Sequence, residues 1–142
     1  MLNETPSIEK LRWIMAQLRD PINGCPWDLK QDFASITSHT IEEAYEVVDA
    51  IEQGDFKELK KELGDLLFQV IFYSHLGQEQ QFFDFDHVVE AICEKLIRRH
   101  PHVFDKANLV TDADIKVGDR RVITYFTFPI IRAFEAAFRE PD

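Results

Sequence analysis

The chain has 142 residues, 45% of them apolar and 30% charged, and carries a formal net charge of −10 at pH 7. That length predicts one domain with a core of its own, and the composition is that of a folded protein rather than a disordered one. The acidic balance argues against a nucleic-acid surface, whose affinity comes from neutralised phosphates, while a phosphate-bearing small molecule held through a divalent cation remains compatible with it.

The first predicted helix runs from about Pro6 to Leu18, with Ile8, Leu11, Met15 and Leu18 on one face. The stretch DPINGCPWD then breaks it with two prolines and an Asn-Gly turn. Within it, Trp27 has two readings: stacking on a nucleobase, or capping the core. A second helix is predicted from about Thr40 to Gln53, with Ile41, Ala44, Tyr45, Val48 and Ile51 as its apolar face. Gly54 closes that helix and Asp55 caps the next, with Glu58 at capping-box-like spacing.

The third helix is predicted from about Phe56 to Leu76. Its second half, LLFQVIFYSHL, is apolar nearly all round and should be buried on several sides. Gly64 lowers helix propensity there, and its bare backbone is the expected place for a close neighbour. The fourth starts near Asp84 or Asp86 and is stopped after Arg99 by Pro101. There is no convincing strand before residue 120, so the expected fold class is all-α: a four-helix bundle-like core built on a central antiparallel hairpin. The domain is expected to span residues 1–104. Residues 105–142 read as an atypical tail, disordered or packed on the core or on a partner subunit: DKANLVTDADIKVGD is polar, and RVITYFTFPIIRAFEAAFRE is strongly apolar.

No apolar run is long enough to span a bilayer and MLNETPSIEK has no signal-peptide pattern, so a cytoplasmic location is the expectation. Cys25 and Cys93 are too few for a disulfide framework. With His39, His75, His87, His100 and His102 they show no C-x-x-C or H-x-x-x-H spacing, and two free thiols are expected.

The candidate site lies in the hairpin IEEAYEVVDAIEQGDFKELKKELGDLLFQV. Residue 54 is the midpoint both of Glu46 and Glu62 and of Glu43 and Asp65. In an antiparallel hairpin, residues equidistant from the turn face each other, and residues three apart share a helix face. Four carboxylates thus have a route to one small volume, which is costly unless a hard divalent cation neutralises them. For Glu43 taken alone, a solvated face or a capping box with Thr40 explains the residue as well. The stripe Glu58, Glu62, Asp65 and Gln69 on a buried helix is harder to explain without partners. Lys95, Arg98 and Arg99 cluster near the end of the fourth helix, where the helix dipole favours cations in any protein. Beside a metal cluster, Lys95 and Arg99 would suit polyphosphate oxygens.

In order, GCPWD, EEAYE, ELGDLLFQV and EKLIRRHPHVF resemble the MazG-type nucleoside triphosphate pyrophosphohydrolases of the all-α NTP pyrophosphatase superfamily. The resemblance covers roughly residues 7 to 104 and rests on four separated motifs. It implies that Glu43, Glu46, Glu62 and Asp65 hold Mg²⁺, with Mn²⁺ as the alternative, and that Glu42 acts through water or outer contacts. It implies substrate contacts from Lys95, Arg99 and Arg98, and hydrolysis of an NTP or dNTP between the α and β phosphates to NMP and pyrophosphate. It also implies a homodimer or larger homo-oligomer, with no nucleic acid and no membrane among its partners. Many members carry two tandem copies of the domain; this chain has one, which resembles the N-terminal copy, and the segment after Phe104 does not resemble the usual continuation. The competing expectation is a non-catalytic helical interaction module that keeps the fold. A di-iron bundle is disfavoured because neither acidic motif has a histidine at the Glu-x-x-His offset.

Overall fold

A computed structural model describes residues 1–105, and among these the protein is all-α, with six helices and no strand. Helix α1 is Ile8–Leu18, α2 is Pro26–Leu29, α3 is Thr37–Gln53, α4 is Phe56–Glu79, α5 is Phe85–Arg99 and α6 is Pro101–Phe104. The tail expectation falls on residues 106–142 and lies outside the described residues. The chain divides after Val88 into two units, the first holding α1 to α4.

Local chemistry sets the ends of these helices. Ser7 caps α1, its hydroxyl accepting from the Lys10 N–H at 3.2 Å. The turn after α1 closes on Asp20, whose carboxylate accepts from the Ile22 and Asn23 N–H groups at 2.9 and 2.8 Å. Those two bonds hold the Asp20 carboxyl below its ordinary pKa, Asn23 first. Pro26 opens the short α2, a position that loses no hydrogen bond to proline. Gly54 ends α3 in the left-handed region at φ 68°, and the Asp55 side chain accepts from the Glu58 N–H at 3.0 Å to open α4. The Asp84 carboxylate likewise accepts from the His87 N–H at 3.0 Å in the first turn of α5.

Two boundaries differ from the sequence expectation. Helix α3 begins at Thr37, a turn early, so Thr40 is interior and makes no capping box with Glu43; its hydroxyl turns back toward Ile36 O at 3.1 Å. Helix α4 runs on to Glu79, passing through Gly77, because no proline intervenes after Leu76.

Helices α3 and α4 pack along their length, and α1 packs on α4. The core is Met15, Ile36, Ile71, Phe72 and Leu76, all 2% exposed or less, with Leu11, Phe33, Phe68, Tyr73 and Phe85 against it. Each fully buried side chain of this size contributes about 1.5–3 kcal/mol. The close approach expected at Gly64 does not occur, since nothing lies within 4 Å of where its Cβ would stand. It occurs at Gly77, where a Cβ would meet the Phe83 ring at 2.7 Å.

A larger correction concerns the apolar face of α3. Ile41, Tyr45, Val48 and Ile51 point outward, and so do Leu63, Leu67 and Val70 of α4, all between 37% and 54% exposed. The side of α3 that meets α4 instead carries Ala50, which is buried, with Glu43 and Glu46 half-buried. The burial of α4 on several sides is thus partial: Ile71, Phe72, Ser74 and Leu76 are inside, and one stripe of it is not.

In the second unit, Arg98 in the last turn of α5 pairs with Glu94 at 2.8 Å, and His100 Nδ1 lies 2.6 Å from Leu96 O. Among the described residues no helix is long and apolar enough to cross a membrane. Cys25 and Cys93 are free thiols, as expected.

Candidate metal centre

The hairpin turn fixes the register of two long helices, and that register sets which side chains meet. Gly54 supplies the left-handed residue and Asp55 the restart, so α3 and α4 run antiparallel from a turn with no slack. One carboxylate oxygen each from Glu43, Glu62 and Asp65 then lies within 4.8 Å of the others. Glu43 and Glu62 are half-buried and Asp65 is exposed.

Electrostatics tie a fourth carboxylate to this set. Burial, and after it the charges of Asp65, Glu42 and Glu46, push the Glu43 carboxyl above its ordinary range, with His39 opposing. Burial, a side-chain hydrogen bond with Glu58 and then the charges of Glu46 and Asp65 do the same to Glu62. Glu46 is therefore close enough to act on both, although its oxygens are not among the three that converge. Glu42 is exposed and reaches the cluster only as a charge on Glu43.

The donor set is oxygen only, which selects a hard cation over zinc or copper. Opposite oxygens in an octahedral Mg²⁺ shell stand about 4.2 Å apart, from a metal–oxygen distance of about 2.1 Å. Three oxygens within 4.8 Å fit one such shell after small side-chain rotations. Burial is the first cause of the raised carboxyls and the neighbouring charges add to it; a cation among these oxygens would offset both.

A polar network continues the acidic stripe inward, with Gln69 marked by the sequence and its partners Thr40 and Tyr73 supplied by the fold. Thr40 is one turn before Glu43, and Gln69 one turn after Asp65. The Thr40 hydroxyl lies 3.2 Å from Gln69 Oε1 and 3.1 Å from Ile36 O, two acceptors competing for its one proton. The Tyr73 hydroxyl, 2.6 Å away, therefore donates to Thr40 Oγ1. Tyr73 stacks on Phe33 with ring centres 6.1 Å apart, which joins the network to the core. Gln69 is 8% exposed, so the polar stripe does find the partner that its burial requires.

One turn before Glu43, Trp27 of α2 meets the His39 ring edge-on with centres 5.8 Å apart, and is 51% exposed. It does not cap the core. Lys95 and Arg99, both half-buried, and Arg98, which is exposed, lie on the part of α5 that belongs to the second unit.

Known proteins resemble the chain over this hairpin. The family model described as the MazG nucleotide pyrophosphohydrolase domain matches residues 31–104. The chain is 53% identical over 108 residues to the nucleoside triphosphate pyrophosphohydrolase of Escherichia coli (strain K12), covering 76% of this chain and 41% of that protein. It is 46% identical over 96 residues to the nucleoside triphosphate pyrophosphohydrolase/pyrophosphatase MazG of Thermotoga maritima, covering 68% and 37%. It is 42% identical over 104 residues to the protein YabN of Bacillus subtilis, covering 73% and 21%. The chain thus spans about two fifths of the length of the first of these relatives and less of the others. The matched span contains the whole α3–α4 hairpin and every converging carboxylate, and with more than half of its length inside that span the chain belongs to the MazG nucleotide pyrophosphohydrolase domain family.

Proposed function

We propose that the chain is a Mg²⁺-dependent nucleoside triphosphate pyrophosphohydrolase, cleaving NTPs or dNTPs between the α and β phosphates to NMP and pyrophosphate. The observation that carries this reading is the meeting of Glu43, Glu62 and Asp65 oxygens within 4.8 Å, in a hairpin whose relatives bear that activity in their names. In this reading residues 1–104 are the catalytic domain, and the family match ends at Phe104.

Glu43, Glu62 and Asp65 hold the cation, with Glu46 as the fourth ligand and Glu42 acting through water. When bound, Mg²⁺, or Mn²⁺ in its place, supplies Lewis-acid polarisation of the phosphate oxygens. The attacking oxygen comes from water, and the bond that breaks joins the α phosphorus to the bridging oxygen. The water would give up its proton to a carboxylate of the cluster or through coordination to the metal. Lys95, Arg98 and Arg99 contact phosphate oxygens and stabilise charge on the departing pyrophosphate. Trp27, half exposed, offers a ring face to the base.

The same reading includes a homodimer in the cytoplasm. Ile41 and Leu67 are equidistant from Gly54, and so are Tyr45 and Leu63, so the outward apolar residues of α3 and α4 line up across the hairpin. A second copy of this hairpin presents the matching surface and would bury both.

The test is incubation of the purified chain with each NTP and dNTP plus Mg²⁺. Release of NMP and pyrophosphate is expected, and orthophosphate without pyrophosphate would rule out α–β cleavage. Glu62→Gln and Asp65→Asn should abolish turnover with the helical circular dichroism intact. Leu67→Asp should sediment as a monomer, and a monomeric wild type refutes the dimer.

A further inference from the structure

Arg19 is the most heavily engaged cation among the described hydrogen bonds, and it has no part in the acidic cluster. Its side chain is 9% exposed. Nη1 donates to Asp28 O at 2.6 Å and to Gln31 O at 3.1 Å. Nε and Nη2 grip the Glu79 carboxylate in a fork at 3.0 and 2.6 Å. The guanidinium also lies 5.8 Å from the centre of the buried Phe72 ring. One planar group thereby joins the end of α1, the end of α4 and two backbone carbonyls around α2.

Helix α2 needs that anchor. Four residues are far too few for a helix to hold itself, and Trp27 is half exposed with His39 as its ring partner. The anchoring passes from Arg19 to Trp27 by short steps. Gln31, whose carbonyl Arg19 holds, sends its own Nε2 to Trp27 O at 2.9 Å, and Ser35 donates to Gln31 Oε1 at 2.8 Å. The Trp27 ring then meets His39, one helical turn before Glu43.

We infer that Arg19 is a positioning residue for the substrate's planar base: by fixing α2 it holds the Trp27 ring as a stacking wall beside the cluster. This rests on the proposed triphosphate reading for the identity of the ring. Arg19 touches no substrate itself; it determines whether the wall is in place when the base arrives. Lysine cannot replace it, because one ammonium cannot hold a fork to Glu79 and two carbonyls together.

The experiment compares a base-bearing NTP with methyl triphosphate, which has the phosphates and no base, on the full chain. Arg19→Lys should raise KM for the NTP by about tenfold, the size of a lost base–aromatic stack. Its kcat should stay within about twofold, and KM for methyl triphosphate should not move. Trp27→Ala should give the same pattern, and the double variant should be no worse than Trp27→Ala alone. A merely structural Arg19 would lower kcat, affect both substrates equally, or add to Trp27→Ala, and any of these overturns the inference. Where Arg19→Lys does not fold, Glu79→Gln, which loosens the fork and also the 3.3 Å pair with His75, should shift the same KM more weakly, and no shift overturns the inference. If the wild type turns over no nucleotide, the triphosphate reading fails by itself. Trp27 as sole tryptophan, in a Trp13→Phe background, then decides the role of Arg19: Arg19→Lys should increase acrylamide quenching, and unchanged quenching overturns it.

Discussion

Glu43→Gln should make the metal-free protein more stable and the metal-loaded protein less so. Glu43 places an oxygen within 4.8 Å of those of Glu62 and Asp65. Among the described residues it makes no hydrogen bond that a glutamine would lose. Two unit charges about 4 Å apart repel by about 1 kcal/mol in water. Glu43 faces two such neighbours but is only half-buried, so screening by solvent and salt brings the net gain to about 1 kcal/mol. The sign depends on pH. The folded-state pKa of Glu43 is raised, first by burial and then by Asp65, so its favourable contribution is complete below the unfolded carboxylate value and is lost as pH rises through the folded one. The gain from Glu43→Gln is therefore present at pH 7.5 and absent near pH 4. Mg²⁺ at a hundred times its dissociation constant stabilises the wild type by about 2.7 kcal/mol, roughly a 10 °C rise in Tm for a chain of this length. The variant should lose most of that rise. The assay is thermal unfolding followed at 222 nm, with EDTA or with Mg²⁺, at both pH values. A variant less stable than wild type in EDTA at pH 7.5, or one with an undiminished Mg²⁺ shift, refutes the shared-cation account.

Other substitutions test the frame around the site. Gly54→Ala meets no atom within 4 Å but must keep φ at +68°, so it should cost about 1–2 kcal/mol by backbone strain alone, read from the urea midpoint with an unchanged slope. Tyr73→Phe removes the donor to Thr40 and should cost about 1 kcal/mol. Because that network lies next to Glu43 and Asp65, the variant should also weaken Mg²⁺ binding by calorimetry, whereas unchanged affinity would confine the network to stability.

The hairpin and its acidic content were legible in the sequence because each signal is local. Gly54 is needed where the backbone turns left-handed, Asp55 caps the next helix through its own side chain, and three-residue gaps put Glu62 and Asp65 on one face of α4. Periodicity also marked Ile41, Tyr45, Val48 and Ile51 as one face of α3. It carries no statement of what that face meets, and the fold turns it outward while the acidic side packs on α4. Thr40 looked like a cap because Ser or Thr three residues before Glu is the local pattern; α3 starts earlier, and its hydroxyl serves Gln69 and Tyr73 instead. Gly64 and Gly77 look alike as letters, and only the path of the chain to Phe83 crowds the second. Arg19 and Glu79 are sixty positions apart, with no spacing rule to link them. The sequence by itself determined where the helices turn and which carboxylates share a face, since those depend on contacts within about four residues. The tertiary structure alone decided which faces meet, which lie bare, and which distant cation steadies the Trp27 loop, because those depend on how whole helices settle against one another.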